Sequence, residues 1–433
     1  MRAIWCDENL VRTWLDVERA IARALDEEGH LEPGALAAIE AAAVVENVPM
    51  DVFRRRTRVV GMPVKPLVEA IAAAGGELVA KYFHWGATTQ DILDSAQALR
   101  VKASLAEVRR QVVALLGELV AMADAHRATA MVARTNSQDA SVTSWGLQVA
   151  GVAAELVRHL ERLGPAERRA TMGMFGGAVG TLAVFGERGV AIRDRVIELL
   201  GLEPAVGAWN GSQDGVAEIV QLDALLLGTL VRFANDVEML GRNAVRELLQ
   251  RGPRGSSSTM PHKGNPRDAN MVQTLFELGA MHAGQAVRMM DQVDVRSASM
   301  RMLSWTLVPE SFLVTSAALD RSLNMARTLV VDAERMRENF AQSRGFVMSE
   351  AVMFALAEHI GRLPAYEAVA AALAADDGVS TMVELLARAP AVSAHLTRAE
   401  IEAAARPEAY LGAAGALIDE VIAAARPWLL GAE

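Results

Sequence analysis

Five long stretches of this chain repeat apolar residues at helical spacing, and that periodicity restricts the possible fold more than any other feature. One runs from about Asp91 to His126, where Leu105, Val108, Val112, Leu116 and Leu119 share a stripe. Others cover about Thr143–Leu163, Val216–Leu249, Pro266–Val293 and Leu303–Val331. Steps of three and four residues line one face of an α-helix, and near-heptad spacing over such lengths suits a bundle. No alternating strand pattern competes. The ends differ. Near the start, Trp14, Leu15, Val17, Ile21 and Ala24 mark a shorter apolar face, and Gly361, Pro364, Pro390 and Pro407 break the last part into short helices. The reading is an all-α chain with a long central helical bundle at 96–345, flanked by smaller helical domains at 1–95 and 346–433.

Composition narrows the function. The 433 residues carry a formal net charge of −10, and the one dense basic run is Arg54-Arg55-Arg56-Thr57-Arg58. A nucleic-acid partner calls for a basic face, so none is expected and the run reads as a solvated helix face. An anionic small molecule would need a local positive site within this negative field. The single cysteine, Cys6, allows no intrachain disulfide. Acids and arginines interrupt the first twenty residues, and no apolar run stands out at membrane-spanning length. A cytoplasmic protein with no membrane partner is the expectation. The eight histidines are scattered, so neither a metal nor another cofactor is expected.

Four segments carry the candidate chemistry. The loop Gly255-Ser256-Ser257-Ser258-Thr259-Met260-Pro261-His262-Lys263-Gly264-Asn265-Pro266 sets hydroxyls, backbone N–H groups and one ammonium between helical patterns. Asn265-Pro266 reads as N-cap then first helical residue. In His84-Trp85-Gly86-Ala87-Thr88-Thr89-Gln90-Asp91, Thr88 and Asp91 have capping-box spacing at the mouth of the long helix. A helix N-terminus with free N–H groups and two hydroxyls suits a carboxylate; a plain cap beside a core histidine is the alternative. The stretch Ala133-Arg134-Thr135-Asn136-Ser137-Gln138 precedes a helix expected near Thr143. The fourth segment is Trp209–Glu218, whose Asp214 and Glu218 read as helix-start acids.

The loop from Ser257 to Pro266 resembles the signature of the fumarase/aspartase superfamily, and the His84 segment resembles that of its 3-carboxy-cis,cis-muconate cycloisomerases and adenylosuccinate lyases. Trp14–Glu18, Gly176-Gly177-Ala178-Val179-Gly180-Thr181, Gly345–Glu350 and Tyr410–Gly412 extend the likeness over nearly the whole chain. The resemblance implies Ser257 as general base, with Lys263 supporting it and Ser258, Met260 and Asn265 binding substrate or shaping the loop. It implies Thr88 and Thr89 on a substrate carboxylate, His84 in the site, and Thr135, Asn136 and Gln138 as further contacts. Arg296 and Arg301 in Asp294–Trp305 stand where relatives carry pocket residues.

Two departures bear on the reaction. Asn136 stands where fumarases and adenylosuccinate lyases carry a histidine, and an asparagine cannot shuttle a proton near neutral pH. Gln213 and Gly215 replace two arginines frequent in the family. The resemblance implies β-elimination from a substituted succinate through an aci-carboxylate intermediate, with fumarate released. A 3-carboxymuconate cycloisomerase and an inactive helical scaffold are the alternatives. It also implies a homotetramer whose sites each draw segments from three subunits.

Overall fold

A computed structural model of the protein describes residues 1–431 apart from 251–257 and 261. The chain opens with α1 (Asp7–Glu27), α2 (Ala35–Ala42), α3 (Met50–Val60), α4 (Val64–Tyr82) and α5 (Thr89–Ala125). A hairpin of β1 (Ala130–Thr135) and β2 (Gln138–Ser144) leads into α6 (Trp145–Ala170). Next come α7 (Gly189–Leu200), α8 (Asp214–Gly241), β3 (Leu248–Gln250), α9 (Arg267–Ala286), α10 (Ala298–Thr328) and β4 (Leu329–Val331). The remainder is α11 (Ala333–Gln342), α12 (Ser349–Ile360), α13 (Arg362–Ala374), α14 (Met382–Arg388), α15 (Pro390–Ser393), α16 (Arg398–Ala404) and α17 (Ala414–Leu430). The chain is all-α in class, as the periodicity predicts.

Residues group into two compact units. One holds 1–110, 159–227 and 275–317; the other holds 111–158, 228–274 and 318–433. Neither is continuous in sequence, whereas the sequence reading divides the chain into three consecutive segments. In the first unit, α1 buries Val11, Leu15, Ile21 and Leu25 against Leu67 and Ile71 of α4, Ile92 of α5 and Phe175. Each such side chain contributes about 1.5–3 kcal/mol relative to exposure. In the second unit, Val132 of β1, Phe340 of α11, Leu356 of α12, Val369 of α13 and Ile401 of α16 form the core. Capping boxes at Thr381/Glu384 and Thr397/Glu400 start α14 and α16, each threonine hydroxyl accepting from the glutamate N–H.

Three sequence expectations need correction. β1 and β2 pair antiparallel, with Thr135 opposite Gln138 and an irregularity at Ala133/Arg134. That irregularity shifts the face-to-face alternation, and so short a hairpin leaves no clear period-two pattern. β3 pairs with β4, taking residues 248–249 and 329–331 out of the helices expected there. α10 is long and apolar enough to cross a membrane by length and composition, contrary to the expectation that no such run exists. Its polar residues are nonetheless engaged inside the first unit: Arg301 pairs with Asp94 of α5, and Ser311 donates to Asp223 of α8 at 2.6 Å.

The basic run on α3 is a solvated face, where Arg54 pairs with Asp7 and Arg56 with Glu69 among exposed side chains. Glu218 near the start of α8 likewise pairs with Arg169.

Candidate active site

The mouth of α5 organises the candidate residues of the first unit. α4 ends at Tyr82, and the chain then turns through His84 at φ 65° and Gly86 at φ 70° before entering α5. The turn sets His84 Nδ1 2.6 Å from Oε1 of Glu18, a residue of α1 only 1% exposed. Burial pulls the His84 pKa down, but the Glu18 charge, the hydrogen bond to it and the Asp91 charge outweigh that and hold it above the usual histidine value.

Asp91 fastens this turn. Its carboxylate accepts from the Thr88 N–H at 2.8 Å, the Gly176 N–H at 2.8 Å and the Gly177 N–H at 3.1 Å. Burial pushes its pKa up to about 7, against the pull of those three donors. Half of the expected capping box is thus present, as the acid's bond to the Thr88 N–H. Thr88 and Thr89 are half-buried at the start of the helix, whose first N–H groups lack intrahelical acceptors.

A chain of polar side chains supports the first turns of α5. Arg296 Nη1 donates to Gln90 Oε1 at 3.0 Å and to the Ala178 carbonyl at 2.9 Å. Gln90 Nε2 donates to Asp94 at 3.0 Å and to the Asn210 carbonyl at 2.8 Å. Since Arg296 can only donate, the Gln90 amide has one orientation that satisfies both ends. Arg301 closes the chain, donating to Asp94 and to the Asn210 carbonyl. Arg301 is 5% exposed. The substrate-contact role expected of Arg301 does not match this placement: its guanidinium is buried on two internal acceptors. Arg296 is half-buried, and its Nε and Nη2 carry no hydrogen bond among the described residues.

The hairpin tip belongs to the second unit. Thr135, Asn136 and Gln138 are exposed there, and Asn136 and Ser137 form a two-residue turn at φ 50° and 62°. Two-residue turns of type I′ need positive φ at both central residues, and asparagine tolerates that backbone better than most. One residue from the tip, Arg134 forks onto the buried Glu247 at 2.8 and 2.7 Å, and Asn339 donates to the same carboxylate at 2.6 Å.

The serine-rich loop is also in the second unit. Ser257, the expected base, lies outside the described residues. Ser258, Met260 and Lys263 are exposed, and the Lys263 N–H donates to the Met260 carbonyl at 3.0 Å. Asn265 is half-buried, its carbonyl accepting from the Arg267 N–H at 2.8 Å. α9 starts at Arg267, one residue later than the expected first position at Pro266.

The first unit therefore holds His84, Thr88, Thr89, Arg296 and Arg301. The second holds Thr135, Asn136, Gln138, Ser258, Met260, Lys263 and Asn265. Sequence reasoning about chemistry missed Glu18, Gln90, Asp94, Asn210 and Glu247. One had a signal: Glu18 interrupts an apolar helical stripe. Asn210 had none, because its partners Gln90 and Arg301 lie 120 and 91 positions away.

The family described as Lyase matches residues 1–278, and that described as Adenylosuccinate lyase C-terminus matches 345–421. A 3-carboxy-cis,cis-muconate cycloisomerase of Bradyrhizobium diazoefficiens is 35% identical, covering 98% of this chain and 95% of its own. An N-acetyl-S-(2-succino)cysteine lyase of Dickeya dadantii is 31% identical, covering 98% and 93%. The crystal structure of a fumarate lyase from Mesorhizobium sp. BNC1 superposes with a TM-score of 0.92 at 33% identity, covering 98% and 97%. The chain belongs to the fumarase/aspartase superfamily of lyases, in the branch with 3-carboxymuconate cycloisomerases and adenylosuccinate lyases.

Proposed function

We propose that this enzyme eliminates an amine, thiol or oxygen leaving group from a substituted succinate and releases fumarate. The observation that carries the reading is the mouth of α5. Thr88, Thr89, His84 and the unengaged edge of Arg296 offer donors of the kind a dicarboxylate needs, in a chain of net charge −10. Ser257 removes a proton from the carbon next to one carboxylate. Its electron pair moves into that carboxylate, giving an aci-carboxylate dianion. Collapse forms the C=C bond and expels the group on the neighbouring carbon, which takes a proton. Donors fixed before the reaction stabilise such a dianion far better than reorganising water. Lys263 and Asn265 serve that charge and keep the Ser257 hydroxyl acidic enough to ionise.

The succinyl-thioether lyase among the relatives supports elimination; the relative at 35% identity supports 3-carboxymuconate cycloisomerisation as the second reading. Exposed apolar residues on three long helices, among them Leu225, Met281 and Met302, support a homotetramer. In it, the His84 segment, the 135–138 tip and the 257–266 loop reach each site from three subunits. Purified enzyme is to be offered a panel of amino-, thio- and oxy-substituted succinates, with fumarate followed by its ultraviolet absorbance. Fumarate from at least one is expected. A lactone from 3-carboxymuconate with no fumarate from any succinate would reject the first reading in favour of the second.

A further inference from the structure

α1 carries an acid where its apolar stripe should be unbroken. Val11, Leu15, Glu18, Ala22 and Leu25 follow at steps of three and four, and all are 4% exposed or less. A carboxylate in such surroundings is costly unless a charged or hydrogen-bonded partner meets it. Among the described residues Glu18 has one partner, His84 Nδ1 at 2.6 Å, and its second oxygen, Oε2, has none. The partner carries a smaller cost of its own, because His84 holds φ 65°, a left-handed backbone that disfavours any side chain, although histidine adopts it more readily than most residues. Two separate costs, a buried acid and a strained backbone, converge on one hydrogen bond. An apolar residue at 18 and a glycine at 84 would avoid both. Strain kept in this way belongs to sites where an orientation is needed.

The bond decides which edge of the ring is available. Nδ1 is committed to Glu18, so the ring offers Nε2, which makes no hydrogen bond among the described residues. Glu18 from α1 and Asp91 from α5 are the charges that act on the ring. The nearby Lys81 is taken up by Glu32, which also accepts from the Tyr82 hydroxyl at 2.8 Å. Both acting charges are negative and favour the doubly protonated ring, whose Nε2 carries a proton.

We propose that Glu18 is a positioning residue: it takes the Nδ1–H of His84 and thereby presents Nε2–H as the donor that meets the substrate's carboxylate or departing atom. The meeting with substrate rests on the lyase reading; the orientation of the ring does not.

The test is an NMR titration of full-length protein labelled at histidine, with His84→Asn identifying the His84 signal. In the wild type the His84 midpoint is expected above about 6.5, the ordinary histidine value. Glu18→Gln can still accept the Nδ1–H but brings no charge, and is expected to lower the midpoint by about one pH unit or more. Adding succinate is expected to raise the midpoint in the wild type and to move it less in Glu18→Gln. A wild-type midpoint at or below about 6.5, or one unmoved by Glu18→Gln, overturns the dyad. A midpoint that succinate leaves unchanged in the wild type overturns the presenting role.

If Glu18→Gln does not fold, the wild-type midpoint alone still decides the dyad. With a turned-over substrate, Glu18→Gln is expected to lower kcat more than it raises KM and to move the alkaline limb of the pH profile to lower pH. Glu18→Asp should restore part of both. Failure of every substituted succinate to yield fumarate, with the His84 midpoint still shifting, would count against the lyase reading and for the dyad.

Discussion

Removing Arg301 should loosen the base of α5. Its side chain and that of Asp94 are 7% and 8% exposed, so little water can replace either partner. Arg301→Met leaves the Asp94 charge with Gln90 Nε2, at 3.0 Å, as its remaining donor among the described residues, and leaves the Asn210 carbonyl with one donor fewer. Breaking one side of a buried pair costs about 3–5 kcal/mol, most of it from the stranded charge. Arg301→Lys keeps the charge but not the fork that reaches both acceptors, and should cost about 1.5–3 kcal/mol. Asp94→Asn with Arg301→Met removes both charges, so the double variant should recover most of the loss, with a coupling of about 2 kcal/mol or more.

A chain of two units has no single unfolding free energy. The assay is therefore native-state hydrogen exchange by mass spectrometry, read on peptides covering residues 91–98 and 209–213. A loss of about 3 kcal/mol speeds exchange there by roughly 10²-fold wherever local opening controls it. Protection unchanged within about threefold in both single variants would refute the reasoning, since a buried charge without its partner cannot be neutral in energy.

Asp223 should make stability depend on pH in the unusual direction. It is 3% exposed, has the Ser311 hydroxyl at 2.6 Å, and burial pushes its pKa up to about 7. The folded pKa lies above the unfolded one, so the unfolded chain ionises first and stability falls as pH rises from about 4 to about 7, by on the order of 4 kcal/mol. Asp223→Asn is expected to unfold at higher temperature than wild type at pH 8 and at nearly the same temperature at pH 4, by differential scanning fluorimetry. Ser257→Ala is expected to keep the fold by circular dichroism and lose about 10²–10⁴ of the turnover rate; retention of most of the rate would remove serine as base. A Cβ on Gly86 would lie 2.2 Å from the Phe185 ring at φ 70°, whereas one on Gly61, at φ 80° in the left-handed region, meets nothing within 4 Å. Gly86→Ala should therefore lower the melting temperature by several degrees more than Gly61→Ala does.

Helix type was legible because it depends on local order: the stripe from Leu105 to Leu119 is visible to anyone counting residues. The candidate site was legible in part for another reason. His84, Thr88, Thr89 and the loop from Ser257 to Asn265 lie in short contiguous segments whose chemistry needs no partner to be noticed. The hairpin was not legible, because its pairing runs between two short strands and an irregularity at Ala133/Arg134 spoils the alternation. The buried partner of Arg301 was not legible, because an arginine in sequence looks the same whether it faces a substrate or a carboxylate 207 positions earlier.

By itself, then, the sequence determined that this chain is helical, which segments carry hydroxyl, ammonium and imidazole groups, and that position 136 holds an asparagine, which cannot carry a proton near neutral pH. Tertiary structure decided the rest. It joined Glu18 to His84 across 66 positions and Asp94 to Arg301 across 207. Helix formation is settled by neighbours three and four residues apart, whereas a buried charge is settled by whatever the fold brings beside it.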